Sequence, residues 1–203
     1  MTTPDTSPRP WVIYGAGEYS LTVADLLAGL GHSVLGFIDD FGQPLSEEMS
    51  ILGTFAQVAT EFEAVRPAIA LGIGYRDLSA RWAAWHRVRA LGWPTPPVVH
   101  ARAYVARNAL LGDGCLVMAG AIVDRQVHLG EAVTLWPGAC INHDTVVGNN
   151  CFISPNATIC GHVRVGQHSF IGAGAIIADH CEVPASSFLK MGARFSAKIV
   201  CTP

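Results

Sequence analysis

The sequence predicts a protein of two parts: a small α/β domain with a short parallel sheet, followed by a parallel β-solenoid. Two observations predict this architecture. Residues 11–92 alternate apolar strand signals with helical spacing, whereas from residue 99 onward an aliphatic residue returns every six positions. Between them the segment GWPTPP contains four breakers of regular structure, and we assign a linker to residues 93–98.

Length and composition bound the class of protein. The chain has 203 residues, of which 50% are hydrophobic, which is enough for a substantial buried core. The formal net charge is −3 without a long run of like charges, which argues against nucleic acid or an anionic membrane as a partner. No run of 18 apolar residues is present to cross a bilayer. We therefore expect a soluble protein with a small-molecule ligand.

Residues 1–10 and the cysteines of the chain indicate the cellular location to expect. Residues 1–10 are polar and rich in proline, lack the apolar core of a signal peptide, and are interpreted as a disordered tail. The six cysteines have neither Cys-x-x-Cys spacing nor the pairing pattern of a small secreted protein. Reduced thiols and a cytoplasmic location are the expectation.

The α/β part begins with a βαβ unit. The apolar run WVIYG is followed by TVADLLAGLG, which has helical spacing, and then by a second apolar run, SVLGFIDD. A third strand, AIALGIG, precedes a helical stretch over residues 77–92, with Asp77 as its N-cap and Gly92 just past its end. Residues 11–92 thus resemble half of a dinucleotide-binding fold.

A glycine motif joins the first strand to the first helix. It reads Gly15-x-Gly17-x-x-Ser20, and Asp39 and Asp40 end the next strand. Glycines allow a tight turn and close approach to phosphate, a helix N-terminus favours an anion, and an acid binds ribose hydroxyls. The motif alone is weak, because Ser20 replaces the third glycine and only one mononucleotide-sized half is present. A nucleotide-linked sugar therefore fits better than NAD.

The repeat in the second part is uninterrupted. Fifteen successive positions from Val105 to Leu189, six residues apart, are all Val, Leu or Ile. The fourth residue after each is Ala, Cys, Val, Thr or Ser. Both positions are expected to point into a solenoid whose stacked coils lie about 4.8 Å apart.

This pattern resembles the hexapeptide repeat of left-handed parallel β-helix acyltransferases. The resemblance implies triangular coils of three hexads, so that residues 105–194 form five coils and residues 99–194 form the whole domain. Residues 195–203 are expected to form a C-terminal tail. This tail and the N-terminal domain are expected to cap the two ends of the solenoid.

Coils of eighteen residues place residues eighteen apart above one another, and the last position of each hexad points outward. Three outward columns follow: a first with Leu116, Thr134, Phe152, Phe170 and Phe188; a second with Tyr104, Ile122, Cys140, Thr158, Ile176 and Arg194; and a third with Leu110, His128, Val146, Arg164 and Glu182. Only the third looks solvated. Because two apolar outer faces are a large patch for a monomer, we expect a cyclic homotrimer packed on them.

The stacking of two residues on successive coils suggests a functional site. His143 is stacked below Gly161 of the next coil, and a residue without a side chain is expected to leave room for a ligand beside the imidazole. The Gly161 N–H is a candidate oxyanion donor. Asp144 can hold one ring nitrogen of His143 and leave the other to accept a proton. From the residues alone, an ordinary surface histidine at a coil corner is the simpler interpretation.

The segment INHDTVVG with the later ATICGHVRVG resembles the sialic acid O-acetyltransferase and bacillosamine or perosamine N-acetyltransferase group. The resemblance implies direct acyl transfer from acetyl-CoA to a sugar amine or hydroxyl, without an acyl-enzyme. It also implies that His143 is the general base, Asp144 its partner and Gly161 the oxyanion donor.

The same resemblance implies that acetyl-CoA lies along the groove between subunits. Ala173 and Met191 stand at the matching cofactor positions. Two residues depart from the group: Phe152 replaces a histidine and Trp136 replaces an asparagine, at positions near CoA or the acceptor. An unusual acceptor is therefore expected.

In this group the N-terminal domain binds a UDP- or GDP-sugar, through positions that match Gly17, Glu18, Tyr19, Asp39, Asp40 and Gly72. Glu18 and Tyr19 depart from the usual sequence, and an acid near a diphosphate is unfavourable. The predicted function is acetylation of an amine or hydroxyl of a sugar, with a nucleotide-linked amino sugar of surface-glycan or secondary-metabolite biosynthesis as the expected acceptor.

Three alternatives stay open: an O-acetyltransferase of a free sugar such as a sialic acid, a non-catalytic sugar-nucleotide-binding scaffold, and a metal hydratase. The hydratase hypothesis starts from His162 and His180, which are eighteen residues apart, with His168 close by. The β-helix carbonic anhydrases pair two histidines five residues apart, whereas His162 and His168 are six apart. We therefore predict no resident metal.

Overall fold

The structure, a computed structural model, describes residues 10–42 and 49–196. The chain divides into two compact units, a first unit up to Pro96 and a second unit from Pro97. Apart from Pro10, which begins a strand, the proposed N-terminal tail lies outside the described residues, as do residues 197–203 of the proposed C-terminal tail. No helix in the described part is long and apolar enough to span a membrane.

The first unit is a parallel sheet with helices. Its strands are β1 (Pro10–Tyr14), β2 (Ser33–Ile38), β3 (Ile51–Gly53) and β4 (Ala68–Leu71), and its helices are α1 (Glu18–Gly29), α2 (Phe55–Glu61) and α3 (Leu78–Ala90), the last preceded by a 3₁₀ turn, Tyr75–Asp77. The strand order is β3-β2-β1-β4, with parallel pairing throughout. Strands β1 and β4 are buried along almost their whole length, as expected for a sheet covered on both faces.

The predicted βαβ unit, the strand seen as β4 and the helix seen as α3 are confirmed, and one further strand and helix were missed. Asp77 caps α3 by accepting a hydrogen bond from the Ala80 N–H at 2.7 Å. The missed pair, β3 and α2, is only three and seven residues long, too short for a periodic signal. Thr54 and Gln57 form a capping box at the start of α2, and this Thr-x-x-Gln spacing was readable in the sequence.

The second unit is a left-handed parallel β-helix, as predicted. Its two-residue strands are β5 (Val98–Val99), β6 (Tyr104–Val105), β7 (Leu110–Leu111), β8 (Leu116–Val117), β9 (Ile122–Val123), β10 (His128–Leu129), β11 (Thr134–Leu135), β12 (Cys140–Ile141), β13 (Val146–Val147), β14 (Phe152–Ile153), β15 (Thr158–Ile159), β16 (Arg164–Val165), β17 (Phe170–Ile171), β18 (Ile176–Ile177), β19 (Glu182–Val183), β20 (Phe188–Leu189) and β21 (Arg194–Phe195). Every third strand pairs, which gives three parallel sheets. The regular strands begin one residue before and end one residue after the predicted residues 99–194.

At each corner of a coil the chain turns through a residue in the left-handed backbone conformation. Fourteen successive positions six residues apart, from Gly114 to Gly192, have φ between 55° and 72°. Five of them are glycine, and most of the others are Asn, Asp or His, the side chains that best tolerate this conformation. Asp144, His162 and His180 are three of these corner residues. Backbone geometry alone therefore explains why polar residues recur there.

The solenoid interior follows the hexad prediction, but the outer faces only partly do. The aliphatic residues and the small residues four places later form one buried core. In the first column Leu116, Phe152 and Phe170 are 1%, 2% and 9% exposed, and the expectation that this column forms an exposed apolar face is wrong for them. The second column stays exposed, with Ile122 at 42% and Ile176 at 43%. Phe188 of the first column also stays 64% exposed, so the second column is the longer of the two exposed apolar surfaces.

Candidate active site

The candidate site lies at the corner between β12 and β13. His143 and Asp144 form this turn, and the next coil places Gly161 and His162 directly above them, because β12 pairs with β15 in register. The His162 N–H donates to the His143 carbonyl oxygen at 3.1 Å, and the Asp144 N–H donates to the Arg125 carbonyl oxygen at 3.1 Å. Three successive coils therefore fix the backbone of the site.

His143 and Asp144 form the pair that the sequence predicted. His143 Nδ1 lies 2.9 Å from Asp144 Oδ2, and Arg125 Nη2 lies 3.3 Å from the same oxygen. The hydrogen bond from His143, with the positive charge of Arg125, holds the pKa of Asp144 below its usual value. An ionised carboxylate favours the proton on Nδ1, which leaves Nε2 of His143 as an acceptor. Sequence reasoning missed Arg125, although the eighteen-residue register places it one coil before His143.

The expectation that Gly161 leaves room for a ligand beside the imidazole is wrong. A Cβ on Gly161 would lie 2.6 Å from His143 Cε1 and 2.9 Å from Nε2. The imidazole itself therefore occupies the space that the missing side chain leaves, and this space is not open to a ligand. Among the described residues, no group accepts a hydrogen bond from the Gly161 N–H.

A row of histidines continues from the site. The rings of His143 and His162 meet edge to face at 5.3 Å, and those of His162 and His180 stack at 4.6 Å. His168 lies at a different corner of the coil, so the three histidines of the hydratase hypothesis are not brought together. The group of potential metal ligands in the described part is instead His143, Asp144 and His162.

The predicted cofactor residues separate into two kinds. Ala173 and Met191 are exposed and stack at another corner, where the Gly192 N–H donates to the Ala173 carbonyl oxygen at 2.8 Å. Phe152 is only 2% exposed, with its ring 5.9 Å from that of Trp136. Its side chain thus packs against its neighbours in this chain, and its assignment to the cofactor stays a prediction.

The candidate substrate residues of the first unit lie at one edge of its sheet. Gly17 is the N-cap of α1, Glu18 and Tyr19 form the first turn, Asp39 and Asp40 follow β2, and Gly72 follows β4. Carboxyl ends of parallel strands and the N-terminus of a helix are where phosphates bind in such sheets.

Ser20 and Gly72 explain the departure from the glycine motif. The Ser20 hydroxyl donates to the Gly17 carbonyl oxygen and is fully buried. A Cβ on Gly72 would lie 2.6 Å from Ser20 Cβ and 2.7 Å from Ile13 Cγ2. The close approach of α1 to the sheet is thus made by a small serine together with Gly72, and a third glycine is not needed.

Asp40 is engaged by its own domain. The Tyr14 hydroxyl and the Arg87 guanidinium donate to Oδ2 at 2.6 and 2.7 Å, and the Phe55 N–H donates to Oδ1 at 2.8 Å. Burial raises the pKa of Asp40, but these hydrogen bonds and the charge of Arg87 lower it overall. Both carboxylate oxygens thus have partners within the first unit, and the role of Asp40 toward ribose stays a prediction.

Both units of the chain are similar to known proteins. Residues 11–86 match the PglD N-terminal domain, and residues 126–161 and 144–179 match the bacterial transferase hexapeptide (six repeats). The acetyltransferase domain of PglB from Neisseria gonorrhoeae FA1090, in complex with acetyl coenzyme A, is 28% identical with a TM-score of 0.85, covering 95% of this chain and 93% of that one. No curated protein sequence matches the chain.

Two further solved structures share the fold. PerB from Caulobacter crescentus, in complex with CoA and GDP-perosamine, is 24% identical with a TM-score of 0.86, covering 94% of this chain and 90% of that one. WeeI from Acinetobacter baumannii AYE is 18% identical with a TM-score of 0.78, covering 93% and 92%.

A small α/β unit followed along the chain by a solenoid of hexapeptide coils defines an acyltransferase of the hexapeptide-repeat class. Within that class, the chain resembles the acetyltransferase domain of PglB, and its first unit matches the PglD N-terminal domain.

Proposed function

We propose that the protein transfers an acetyl group from acetyl-CoA to the amine of a sugar, with a nucleotide-linked amino sugar as acceptor. The observation that carries this proposal is the His143–Asp144 pair, 2.9 Å apart, at a corner of a solenoid similar to an acetyltransferase domain that binds acetyl-CoA. The PglD-type first unit, with its glycine motif at the sheet edge, supports the nucleotide-linked acceptor. PerB, which shares the fold, is a structure with GDP-perosamine bound.

In the proposed reaction the sugar nitrogen attacks the thioester carbonyl carbon while His143 Nε2 accepts a proton from it. The C–S bond then breaks, and the proton on His143 is available to the departing CoA thiolate. Asp144 orients the ring and stabilises the imidazolium that forms, and the Gly161 N–H is the proposed donor to the transient oxyanion. General base catalysis of this kind typically contributes about 10²–10⁴-fold.

The proposed cofactor corner is not the corner of the base. Ala173 and Met191 follow the first-column sheet, whereas His143 follows the second-column sheet, so one face of the prism separates the two corners. We propose that a homotrimer packed on the second column brings the base of one subunit to the cofactor corner of its neighbour. Trp136, at the cofactor corner two coils earlier, is proposed to contact the acceptor.

We also propose a cytoplasmic location. Five cysteines lie in the described part of the chain, and none of them forms a disulfide there. A supply of acetyl-CoA and reduced thiols are both properties of the cytoplasm.

A thiol-release assay tests the proposal. We expect CoA release from acetyl-CoA with one member of a panel of UDP-, GDP- and dTDP-linked amino sugars, and none with free sugars. His143→Ala should lower kcat by about 10²–10⁴-fold without loss of folded structure by circular dichroism. His128→Ala, an exposed histidine of the third column, is the matched control and should retain turnover.

Three results would contradict the proposal. Wild-type turnover in His143→Ala would remove the assigned base, and binding of a nucleotide sugar without any thioester cleavage would support the non-catalytic scaffold instead. Transfer only to the hydroxyl of a free sugar would point to the O-acetyltransferase alternative.

A further inference from the structure

The corner that holds the proposed base also carries the donor set of a transition-metal site. We infer that His143, Asp144 and His162 bind a borderline divalent ion such as Zn²⁺ and that this ion reversibly inhibits acetyl transfer. The binding of the ion is independent of the enzymatic activity, whereas its inhibitory effect rests on the proposed function.

The distances suit a small ion. One ligand atom from each of the three residues lies within 4.8 Å of the other two. His143 Nδ1 is 2.9 Å and His162 Nε2 is 4.0 Å from Asp144 Oδ2. Tetrahedral zinc with bonds of 2.0–2.2 Å separates its ligands by about 3.3 Å. Separations of up to 4.8 Å therefore close to coordination distance with relative side-chain movements of about 1.5 Å or less.

The backbone prepares this arrangement. Asp144 and His162 occupy left-handed corners of successive coils, with φ of 59° and 57°, so their side chains project from one edge of the prism. The His162 N–H bonded to the His143 carbonyl oxygen fixes the two coils relative to each other. Two imidazoles and one carboxylate are a ligand set that zinc prefers, with the fourth position left to water.

Access and charge also favour binding, with one opposing group. The side chains of His143, Asp144 and His162 are 40%, 21% and 47% exposed, which leaves the site open to solvent. Asp144 supplies the negative charge, while the Arg125 guanidinium, 3.3 Å from that carboxylate, repels a cation. Removal of this charge in Arg125→Gln should therefore tighten zinc binding.

Zinc and the proposed base exclude each other. The ion takes the Nδ1 atom that is hydrogen bonded to Asp144, and it takes the Asp144 oxygen as well. The carboxylate then no longer orients the imidazole. A divalent cation bound to the ring also makes it unfavourable for His143 Nε2 to accept a proton.

Binding is tested by competition between the full-length protein and a chromogenic zinc chelator, after the protein has been stripped with EDTA. His162→Asn removes one donor and keeps a side chain suited to the left-handed corner. The matched control is His180→Asn, which alters the next histidine of the row, with φ of 55°, and leaves the donor set intact. We expect zinc affinity to fall by about 10-fold or more in His162→Asn only.

The inhibition is tested in the thiol-release assay with added Zn²⁺. Wild type and His180→Asn should lose activity with zinc and recover it with EDTA, whereas His162→Asn should keep its activity when zinc is added. Because the three proteins are compared in the same assay, zinc bound by the released CoA affects all of them equally. Equal zinc affinity in wild type and His162→Asn would overturn the site, and equal inhibition of the two would overturn the mechanism. If no acetyl transfer is found at all, the proposed function fails, and the chelator measurement still decides the metal site.

Discussion

At the scale of single residues, the candidate base depends on an absent side chain. Gly161 does not have a left-handed φ, so its backbone conformation does not require glycine. What requires it is the imidazole of His143, whose Cε1 atom would lie 2.6 Å from an added Cβ. The residue therefore sets the position of the ring relative to Asp144.

Gly161→Ala should displace the His143 ring and weaken its 2.9 Å contact with Asp144. Because a misplacement of about 1 Å costs roughly 10²-fold in rate, we expect kcat to fall by about that factor in the thiol-release assay. Gly29→Ala is the control, since nothing lies within 4 Å of a Cβ there. Unchanged turnover in Gly161→Ala would show that the ring position does not matter for the reaction.

At the scale of elements, Asp40 joins β1, α2 and α3. Tyr14 comes from β1, the Phe55 N–H from α2 and Arg87 from α3, and all three donate to the one carboxylate. Above it, the rings of Tyr14 and Phe55 stack at 5.1 Å, and the Arg87 guanidinium lies 5.2 Å from each ring centre. This cluster fixes the edge of the sheet at which the proposed nucleotide sugar binds.

Asp40→Asn should destabilise the first unit by about 1–3 kcal/mol at neutral pH. Because the pKa of Asp40 is lower in the folded protein than the value of about 3.9 expected when unfolded, its stabilisation is full above that value. This stabilisation is lost as the pH falls through the folded-state pKa. The difference in free energy of unfolding between Asp40→Asn and wild type should therefore become smaller in acid.

Urea unfolding followed by tryptophan fluorescence measures this effect, since four of the five tryptophans, Trp11, Trp82, Trp85 and Trp93, lie in the first unit. Asp25→Asn, at an exposed aspartate of α1, is the control. If the free energies of unfolding of Asp40→Asn and wild type differ by the same amount from pH 3 to pH 7, the stabilising role assigned to ionised Asp40 is wrong.

The sequence predicted the repeat register well because period and geometry coincide in a solenoid. Thr158 pairs with Cys140 and Ile176 as the eighteen-residue spacing requires. The spacing gives the direction of a side chain but not what covers it, so the burial of Phe152 was missed. Likewise a column shows that Gly161 lies over His143, while only side-chain packing shows that the ring fills the gap.

At the scale of the whole molecule, the second column is the longer apolar face open to a partner. Ile122 and Ile176 are 42% and 43% exposed on the outside of the solenoid, together with Tyr104 at 59%. An apolar strip of this kind on a rigid prism suits a second copy of the same chain. The proposed homotrimer therefore depends on one face and not on the two that the sequence suggested.

Ile176→Arg should place a charge in the proposed subunit interface and convert the trimer to monomers at micromolar concentration. The matched control is Val146→Arg on the third column, where the wild-type residue is similarly exposed at 36%. Light scattering measures the mass, and turnover should fall with dissociation because the proposed site needs two subunits. A wild-type protein that is monomeric at this concentration would contradict the trimer.

The corners of the solenoid carry a consequence for how such enzymes diversify. A backbone that must turn through positive φ every six residues selects small or polar side chains at those positions for conformational reasons alone. Acids, amides and imidazoles can therefore accumulate along an edge without disturbing the aliphatic interior. New chemistry can then arise by point substitution, at little thermodynamic cost, from residues first retained for their torsion angles.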